Sequence, residues 1–356
     1  MSIKAVELYR LPIDLKQPYH TSFGDLPVFD AVVAIIRADE GIGAGESTAV
    51  PGYSWESPDD VWKFASAHAP SLVGMEIEEA CRWLESFVAE APFGVTPLLC
   101  AAEEAVSPSP EQGGLALAGI LNVKEDNDLS DGVEALLSQG FKTVKFKVGF
   151  DIESDIRRTK IVQASLAGRA LLRLDANQHY TLDEAYRFVK EVSPEGIELL
   201  EQPFASSDWE TMFRFAPDCP LPLMLDESIY GPEDILRAID ARCASFIKLK
   251  ICKAGGLAKL YEQGRMVGDG GMKLVIGNGV ASDISCRQEL RVSVELAASG
   301  VSVAAGEMNG FLKQKVQLTK GAPVLCDGLA TLCPGSVIPE CSILKNTASA
   351  VQFFTK

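Results

Sequence analysis

The stretch ALLRLDAN (residues 170–177) is largely apolar and gains a carboxylate and a carboxamide, Asp175 and Asn177, only at its end. IELLEQP (197–203) repeats the pattern with Glu201, and LPLMLDES (221–228) repeats it with Asp226 and Glu227. TVKFK (143–147) precedes these three runs and FIKLK (246–250) follows them, each closing on two lysines one residue apart. Side chains at i and i+2 of a strand share a face, roughly 7 Å apart, so each lysine pair points the same way. For any one strand, a terminal charge that merely opens a solvated loop is as good a reading as a functional group. Five successive strands with acids on the middle three and lysines on the outer two are harder to assign to loops. Buried lysines and carboxylates would cost several kcal/mol unless paired or bound to metal.

Outward from this block, short apolar runs alternate with amphipathic stretches. Strands are expected near 116–123, 143–149, 170–177, 197–203, 221–228, 245–252, 273–278 and 301–307. Helices are expected between them near 128–139, 151–167, 181–192, 208–216, 231–241, 256–268 and 283–299. Such alternation predicts an α/β barrel of (β/α)7β type, a modified TIM barrel whose last helix is missing or displaced. No G-x-G-x-x-G follows the first strand, which disfavours the open doubly wound alternative. Charged residues at the C-terminal ends of barrel strands are where such folds carry their chemistry.

Before the barrel, residues 3–11 alternate, and Ala31–Ile36 and Ile42–Ser47 flank a turn at Asp39-Glu40-Gly41, predicting a small antiparallel sheet. Helical patterns follow at about 58–68, 76–89 and 97–106, and then the breaker cluster SPSPEQGG (107–114). The expected units are an α+β capping domain over 1–112, the barrel over 113–312, and a tail over 313–356 returning to the cap.

A net charge of −16 argues against nucleic acid and anionic membranes as partners. Apolar stretches are too short to span a bilayer, and the first residues lack the layout of a signal peptide. Nine cysteines without a C-x-x-C pair read as free thiols in a cytoplasmic protein. With only His20, His68 and His179 present, a His-rich zinc site or a His-dependent triad is disfavoured, leaving Asp, Glu and Lys to carry the chemistry. Three carboxylates on adjacent strands suit a hard divalent cation with oxygen ligands. Lysines beside a cation and beside each other are pushed towards neutral pKa values, where they can accept a proton. A metal acting as Lewis acid would stabilise the enolate left when a proton leaves the carbon next to a carboxylate.

Taken together, K-F-K at 145–147, D-A-N at 175–177, E-Q-P at 201–203, D-E-S at 226–228 and K-I-C-K-A-G-G at 250–256 resemble the enolase superfamily. Within it, they resemble the muconate lactonizing enzyme (muconate cycloisomerase) subgroup, over nearly the whole chain. The resemblance implies Asp175, Glu201 and Asp226 as ligands of Mg²⁺, with Mn²⁺ as the alternative. It implies Lys147 and Lys250 as acid/base groups on opposite faces of the substrate, and Lys145 as a contact to the substrate carboxylate that tunes Lys147. Lys248 and Lys253 compete with Lys250, but the K-x-x-K-x-G-G spacing places the first lysine at 250. Asn177 reads either as a contact to the metal or its water, or as a cap for its turn. Glu227 reads either as orienting a lysine or as a structural ion pair. No histidine follows His179, which sets the mandelate racemase subgroup aside.

The superfamily's shared step leaves several outcomes. Tyr19, Phe23 and Tyr53, on two cap segments, are the expected aromatic contacts to a small-molecule carboxylate substrate, although domain packing would equally use them. Glu307 and Asn309 stand where dipeptide epimerases of the subgroup often carry D-x-D. They favour a nitrogen-bearing substrate while departing from an ordinary dipeptide pattern. Racemisation or epimerisation of an amino-acid derivative (cyclic, N-substituted or a dipeptide) is therefore the expected reaction. Syn dehydration of a β-hydroxy acid such as a hydroxyproline, and muconate-type cycloisomerisation, are the alternatives. Outside the superfamily stand a class I Schiff-base aldolase, which would need no metal, and a non-catalytic binding protein. The sequence leaves room for a homo-oligomer.

Overall fold

The computed structural model describes residues 2–21, 24–39, 41–107, 112–334 and 337–355. The cap begins with β1 (Ile3–Thr21), β2 (Gly24–Ala38) and β3 (Ile42–Ser47), followed by helices α1 (Pro58–Leu72), α2 (Ile77–Glu85) and α3 (Pro92–Val106). The strand expected over 3–11 thus continues for another ten residues, to Thr21, and forms a long hairpin with β2. Helix α3 starts earlier than its pattern suggested because Pro92 occupies its first turn, where a missing N–H costs nothing. GIGAG (41–45) explains why α3 lies so close on β3. A Cβ at Gly41, Gly43 or Gly45 would fall 1.9, 2.1 or 2.3 Å from the carbonyl oxygens of Ala105, Ala101 and Pro97, one helical turn apart. Period two on the strand meets period four on the helix.

In the barrel, β4 (Gly114–Ala116) and β5 (Ala118–Leu121) lead into α4 (Leu129–Ser138) and β6 (Thr143–Lys147). Then come α5 (Ile152–Leu166), β7 (Leu171–Asp175), α6 (Leu182–Glu191), β8 (Ile197–Glu201), α7 (Trp209–Phe215) and β9 (Leu223–Leu225). They are followed by α8 (Pro232–Ala241), β10 (Phe246–Leu249), the single turn α9 (Ile251–Ala254), α10 (Leu257–Asp269), β11 (Lys273–Ile276) and α11 (Asp283–Ala298). Strands β5 to β11 form one parallel sheet in sequence order. Local caps set the helix starts: Thr181 and Glu184 form a capping box on α6, and Asp151 and Asp208 accept from the backbone N–H of Ser154 and Thr211.

The eighth strand, expected over 301–307, is reduced to isolated pairings. Val303 bridges to Leu274 on β11, and Gly306 bridges to Leu117 beside β5, so the (β/α)7β barrel is closed through backbone contacts rather than a full ladder. Beyond it the chain skips an eighth barrel helix. A small sheet of β12 (Val324–Cys326) and β13 (Leu329–Thr331) pairs with β4, then α12 (Cys341–Thr347) leads to β14 (Ala350–Thr355). β14 pairs antiparallel with β1, from Ala5 opposite Thr355 to Arg10 opposite Ala350. The α12 turn was not foreseen in the tail, which lacks helical period.

One apolar cluster fills the space between barrel and helices, including Leu174, Phe188, Phe215 and Leu290, each fully buried. Two smaller clusters lie on either side of the cap sheet. Among the described residues, no helix is long and apolar enough to cross a membrane.

Candidate active site

Strand register sets the site before any side chain is considered. Lys147 pairs with Asp175 across β6 and β7, and Asp175 pairs with Glu201 across β7 and β8. Neighbouring strands lie ~4.8 Å apart, so three charged residues form a row along the barrel's C-terminal edge. Asp226 follows the end of β9, and Lys250 follows the end of β10. In sheet order the two lysines flank the three acidic strands.

The turns after these strands are built to hold them. Asn177, Gln178 and Gln202 take left-handed φ values of 41°, 72° and 36°, a conformation that non-glycine residues adopt at some cost. The Asn177 N–H donates to Asp175 Oδ1 at 3.0 Å. Gln202 ties two motifs together: its Oε1 accepts from the N–H groups of Asp226 and Ser228, both at 3.1 Å, while its Nε2 donates to Ser228 Oγ. Glu289, on α11, accepts from Ile251 N at 3.1 Å and Asn278 N at 2.9 Å, fixing the chain just after Lys250 and at the end of β11.

Inside the barrel the charges interlock. Lys145 Nζ lies 2.5 Å from Glu201, and 2.9 Å from both Asp175 and Glu307. Lys248 Nζ lies 2.5 Å from Glu307, 3.1 Å from Glu201 and 3.4 Å from Asp226. Arg173, fully buried, donates to Glu307 Oε1 at 2.6 Å and to Glu198 at 2.9 Å. Lys250 Nζ donates to Asp226 Oδ2 at 2.7 Å and to the Tyr53 hydroxyl, which in turn donates to Asp226 Oδ1 at 3.1 Å. Lys253 is turned to Asp226 as well, through its carbonyl at 2.8 Å.

Lys147 differs from its neighbours: among the described residues it makes no hydrogen bond or ion pair. Burial pushes its ammonium below the usual lysine range; Asp175 opposes that shift and Lys145 adds to it. Asp175 and Asp226 are pulled the other way. Burial raises both, but Lys145 and Lys147 outweigh it at Asp175, and Lys250, Lys248 and Lys253 outweigh it at Asp226. Both therefore stay ionised.

Tyr19, Tyr53, Lys145, Lys147, Asp175, Asn177, Asp226, Lys250, Glu307 and Asn309 all line one cleft of about 720 Å³, part of it open to solvent. Glu201 lies beneath it, fully buried. Phe23 lies outside the described residues. Both oxygens of Glu307 are engaged within the protein, Oε1 by Arg173 and Oε2 by Lys145 and Lys248. Asn309 accepts from Lys313 instead, and the Lys313 ammonium sits 3.9 Å from the centre of the Tyr19 ring. His179 stays in its loop, facing Ala176 O. Sequence reasoning missed Arg173, Lys313 and Glu289. Arg173 was visible as a charge inside an apolar strand, whereas nothing local marks Lys313.

Among the described residues, no three His, Cys, Asp or Glu side chains are gathered as a metal-holding group. The ammonium groups of Lys145 and Lys248 lie between the carboxylates instead. At the turns that follow Asp175 and Asp226, two buried oxygens of the described residues lack a hydrogen-bond partner, Asn177 Oδ1 and Glu227 Oε2, although Asn177 Nδ2 and Glu227 Oε1 bond to each other at 3.0 Å. The carboxylates of Asp175, Glu201 and Asp226 have the oxygen chemistry that hard divalent cations take, so in kind these residues fit such a cation.

Residues 128–336 match the model of the family described as enolase C-terminal domain-like. An N-succinyl-L-Arg/Lys racemase of Bacillus cereus is 24% identical over 335 residues, covering 88% of each chain. An L-Ala-D/L-Glu epimerase of Clostridium acetobutylicum is 28% identical over 348 residues, 92% of this chain and 91% of that one. Among solved structures, a dipeptide epimerase from Cytophaga hutchinsonii, complexed with Mg and D-Ala-L-Val, matches all of both chains with a TM-score of 0.88 at 20% identity. At that identity the likeness is one of fold.

Proposed function

Because the chain belongs to the enolase C-terminal domain-like family, we propose that it moves the proton on the carbon next to a substrate carboxylate, and thereby racemises or epimerises an amino-acid derivative. The observation that carries this reading is the placement of two lysines on strands flanking three acidic strand ends, with one of the lysines unpaired. Names of the relatives point the same way: one racemises N-succinylated amino acids, another epimerises a dipeptide.

In this reading Asp175, Glu201 and Asp226 would hold Mg²⁺, with Mn²⁺ as the alternative, in place of the Lys145 and Lys248 ammonium groups that pair with these carboxylates here. When bound, the cation neutralises the substrate carboxylate and the charge that builds up as the α-proton leaves. Lys147, whose ammonium is destabilised by burial, is the group able to accept that proton from one face. Lys250, held by Asp226 and Tyr53, returns a proton from the other. The roles reverse for the opposite enantiomer. Lys145 contacts the substrate carboxylate and, through its charge, adds to the lowering of the Lys147 proton affinity that burial causes. Glu227 and Asn177 orient one another beside the acidic ends. Tyr53 fixes the Lys250 ammonium and closes the cleft from the cap. A cytoplasmic location accords with nine free cysteines.

The test is ¹H NMR in D₂O with Mg²⁺, on a pool of N-acylated amino acids and dipeptides. Loss of the Cα proton signal, with deuterium in the opposite enantiomer and abolition by EDTA, is the expected result. No exchange across the pool sinks the proposal. Trapping of a substrate by borohydride, with activity insensitive to EDTA, would favour Schiff-base chemistry instead.

A further inference from the structure

Lys313 is the charged group beside the cleft that the proton-transfer reading does not use. It follows the Gly310–Leu312 turn, where the chain returns to the cap and Gln314 bridges to Leu15 on β1. Its ammonium donates to Gly279 O at 2.6 Å and Asn309 Oδ1 at 2.8 Å, and lies over the face of Tyr19. These partners are neutral, and among the described residues no carboxylate pairs with it. Of the other ammonium groups near the cleft, those of Lys145, Lys248, Lys250 and Lys253 each have a carboxylate within ion-pair distance, and Lys147, the proposed base, does not. A cation held in a poorly solvated place without a counter-charge is costly unless an anion joins it.

Gly279 shows where that anion would come from. Its φ is not left-handed, so the backbone does not call for glycine there. A Cβ added at Gly279 would lie 3.1 Å from Lys313 Nζ, 3.4 Å from Asn309 Oδ1 and 3.5 Å from Tyr19 Oη. Three polar side chains therefore converge closely on the face of Gly279 that carries no side chain. Tyr19, Gly279 and Asn309 all line the cleft that contains Lys147 and Lys250. Burial keeps the Tyr19 hydroxyl protonated, so it is a donor. The same burial pushes Lys313 down to about 7, which is what an ammonium lacking its anion would show.

We propose that Lys313, held by Asn309 and with the Tyr19 hydroxyl beside it at Gly279, forms a distal anion subsite, so that the substrate carries a second carboxylate remote from the reacting carbon. One positive charge, braced by the Asn309 carboxamide oxygen and flanked by one neutral donor, the Tyr19 hydroxyl, suits a singly charged carboxylate, on an N-acyl arm or on a side chain. This deepens the proton-transfer reading and rests on it for the identity of the first carboxylate.

Calorimetric titration with Mg²⁺ in the buffer tests the subsite without turnover. N-succinylglycine and its distal amide form one ligand pair, and N-acetyl-L-glutamate and N-acetyl-L-glutamine form the other. Wild type should bind the acid of at least one pair about tenfold more tightly than its amide, and Lys313→Met should cut that ratio below about twofold, while Lys313→Arg retains it. Preference within the first pair assigns the carboxylate to the acyl arm, and preference within the second assigns it to a side chain. A lysine that only braces the loop would weaken all four ligands alike and leave the ratios unchanged, which overturns the subsite. Failure of both acids to bind overturns it as well. Should Lys313→Met not fold, Lys313→Gln carries the same comparison. Hydrogen exchange is read separately: an acid preference without exchange refutes the proton-transfer reading, and exchange without an acid preference refutes the subsite.

Discussion

Arg173 gives the sharpest test of how this barrel tolerates so much buried charge. Its side chain is fully buried and its guanidinium spans Glu307 at 2.6 Å and Glu198 at 2.9 Å. Replacing it with Met keeps an unbranched apolar stem of similar reach, so the loss is electrostatic rather than one of packing. Breaking a buried pair from one side costs ~3–5 kcal/mol, because the partner is left uncompensated. Glu307 would still touch Lys145 and Lys248, and Glu198, with 13% of its side chain exposed, can take up water. Both facts place the cost at the lower end, ~3 kcal/mol. In a chain this long, such a loss lowers the melting temperature by on the order of 4 °C. Urea unfolding followed by circular dichroism measures the free energy directly. A double-mutant cycle with Glu307→Gln should return a coupling above ~1.5 kcal/mol. A loss under ~1 kcal/mol, or coupling near zero, would mean that Lys145 and Lys248 alone neutralise Glu307, and the reasoning about Arg173 would be wrong.

Other outcomes can be checked alongside. Glu289 is fully buried, and burial, against its two backbone hydrogen bonds, pushes its carboxyl from 4.5 up to about 7. A carboxyl raised on folding binds its proton more tightly in the native state, so its contribution is complete below pH ~4.5 and is lost as pH rises through about 7. Between pH 5 and 8 the stability of wild type relative to Glu289→Gln should fall by ~3 kcal/mol in urea titrations; a flat difference refutes it. Lys147→Ala should abolish Cα exchange from one face of a turned-over substrate and Lys250→Ala from the other, as read from each pure enantiomer in D₂O. Full activity in either variant removes that lysine from the mechanism. Gly43→Ala would put a Cβ 2.1 Å from the Ala101 carbonyl. It should therefore cost ~1–3 kcal/mol by forcing α3 off the sheet, with thermal melting as the measure.

What could be read in the sequence was whatever the chain writes locally. Asp175, Glu201, Asp226, Lys147 and Lys250 each terminate an apolar run, and strand periodicity together with parallel register brings them to one barrel end. The barrel itself followed from the repeated change of period between strand and helix. The eighth strand was overread, since an apolar run such as 301–307 says nothing about whether its neighbours complete a ladder. Glu307 was legible only in part. Its place at a strand end brings it to the cleft, but nothing local announces that Arg173, 134 positions away, holds one of its oxygens.

Distance along the chain also hides the subsite at Lys313. Tyr19, Gly279, Asn309 and Lys313 come from the cap hairpin, the end of β11, the loop after the eighth strand and the return to the cap. No spacing rule joins them. What places the ammonium is backbone pairing: Lys16 N donates to Lys313 O at 2.8 Å, and Lys315 N donates to Asp14 O at 2.9 Å. The stretch holding Lys313 is thus clamped to the same strand that carries Tyr19. A shift of that hairpin would move the ring and the ammonium together while leaving the strand-end lysines in place. On the proposals made above, the lysines that would move the proton belong to the barrel, whereas the distal anion subsite would belong to the seam with the cap. Selectivity can therefore change through cap residues without any change at Asp175, Glu201 or Asp226, and the strand-end motifs are correspondingly silent about the substrate.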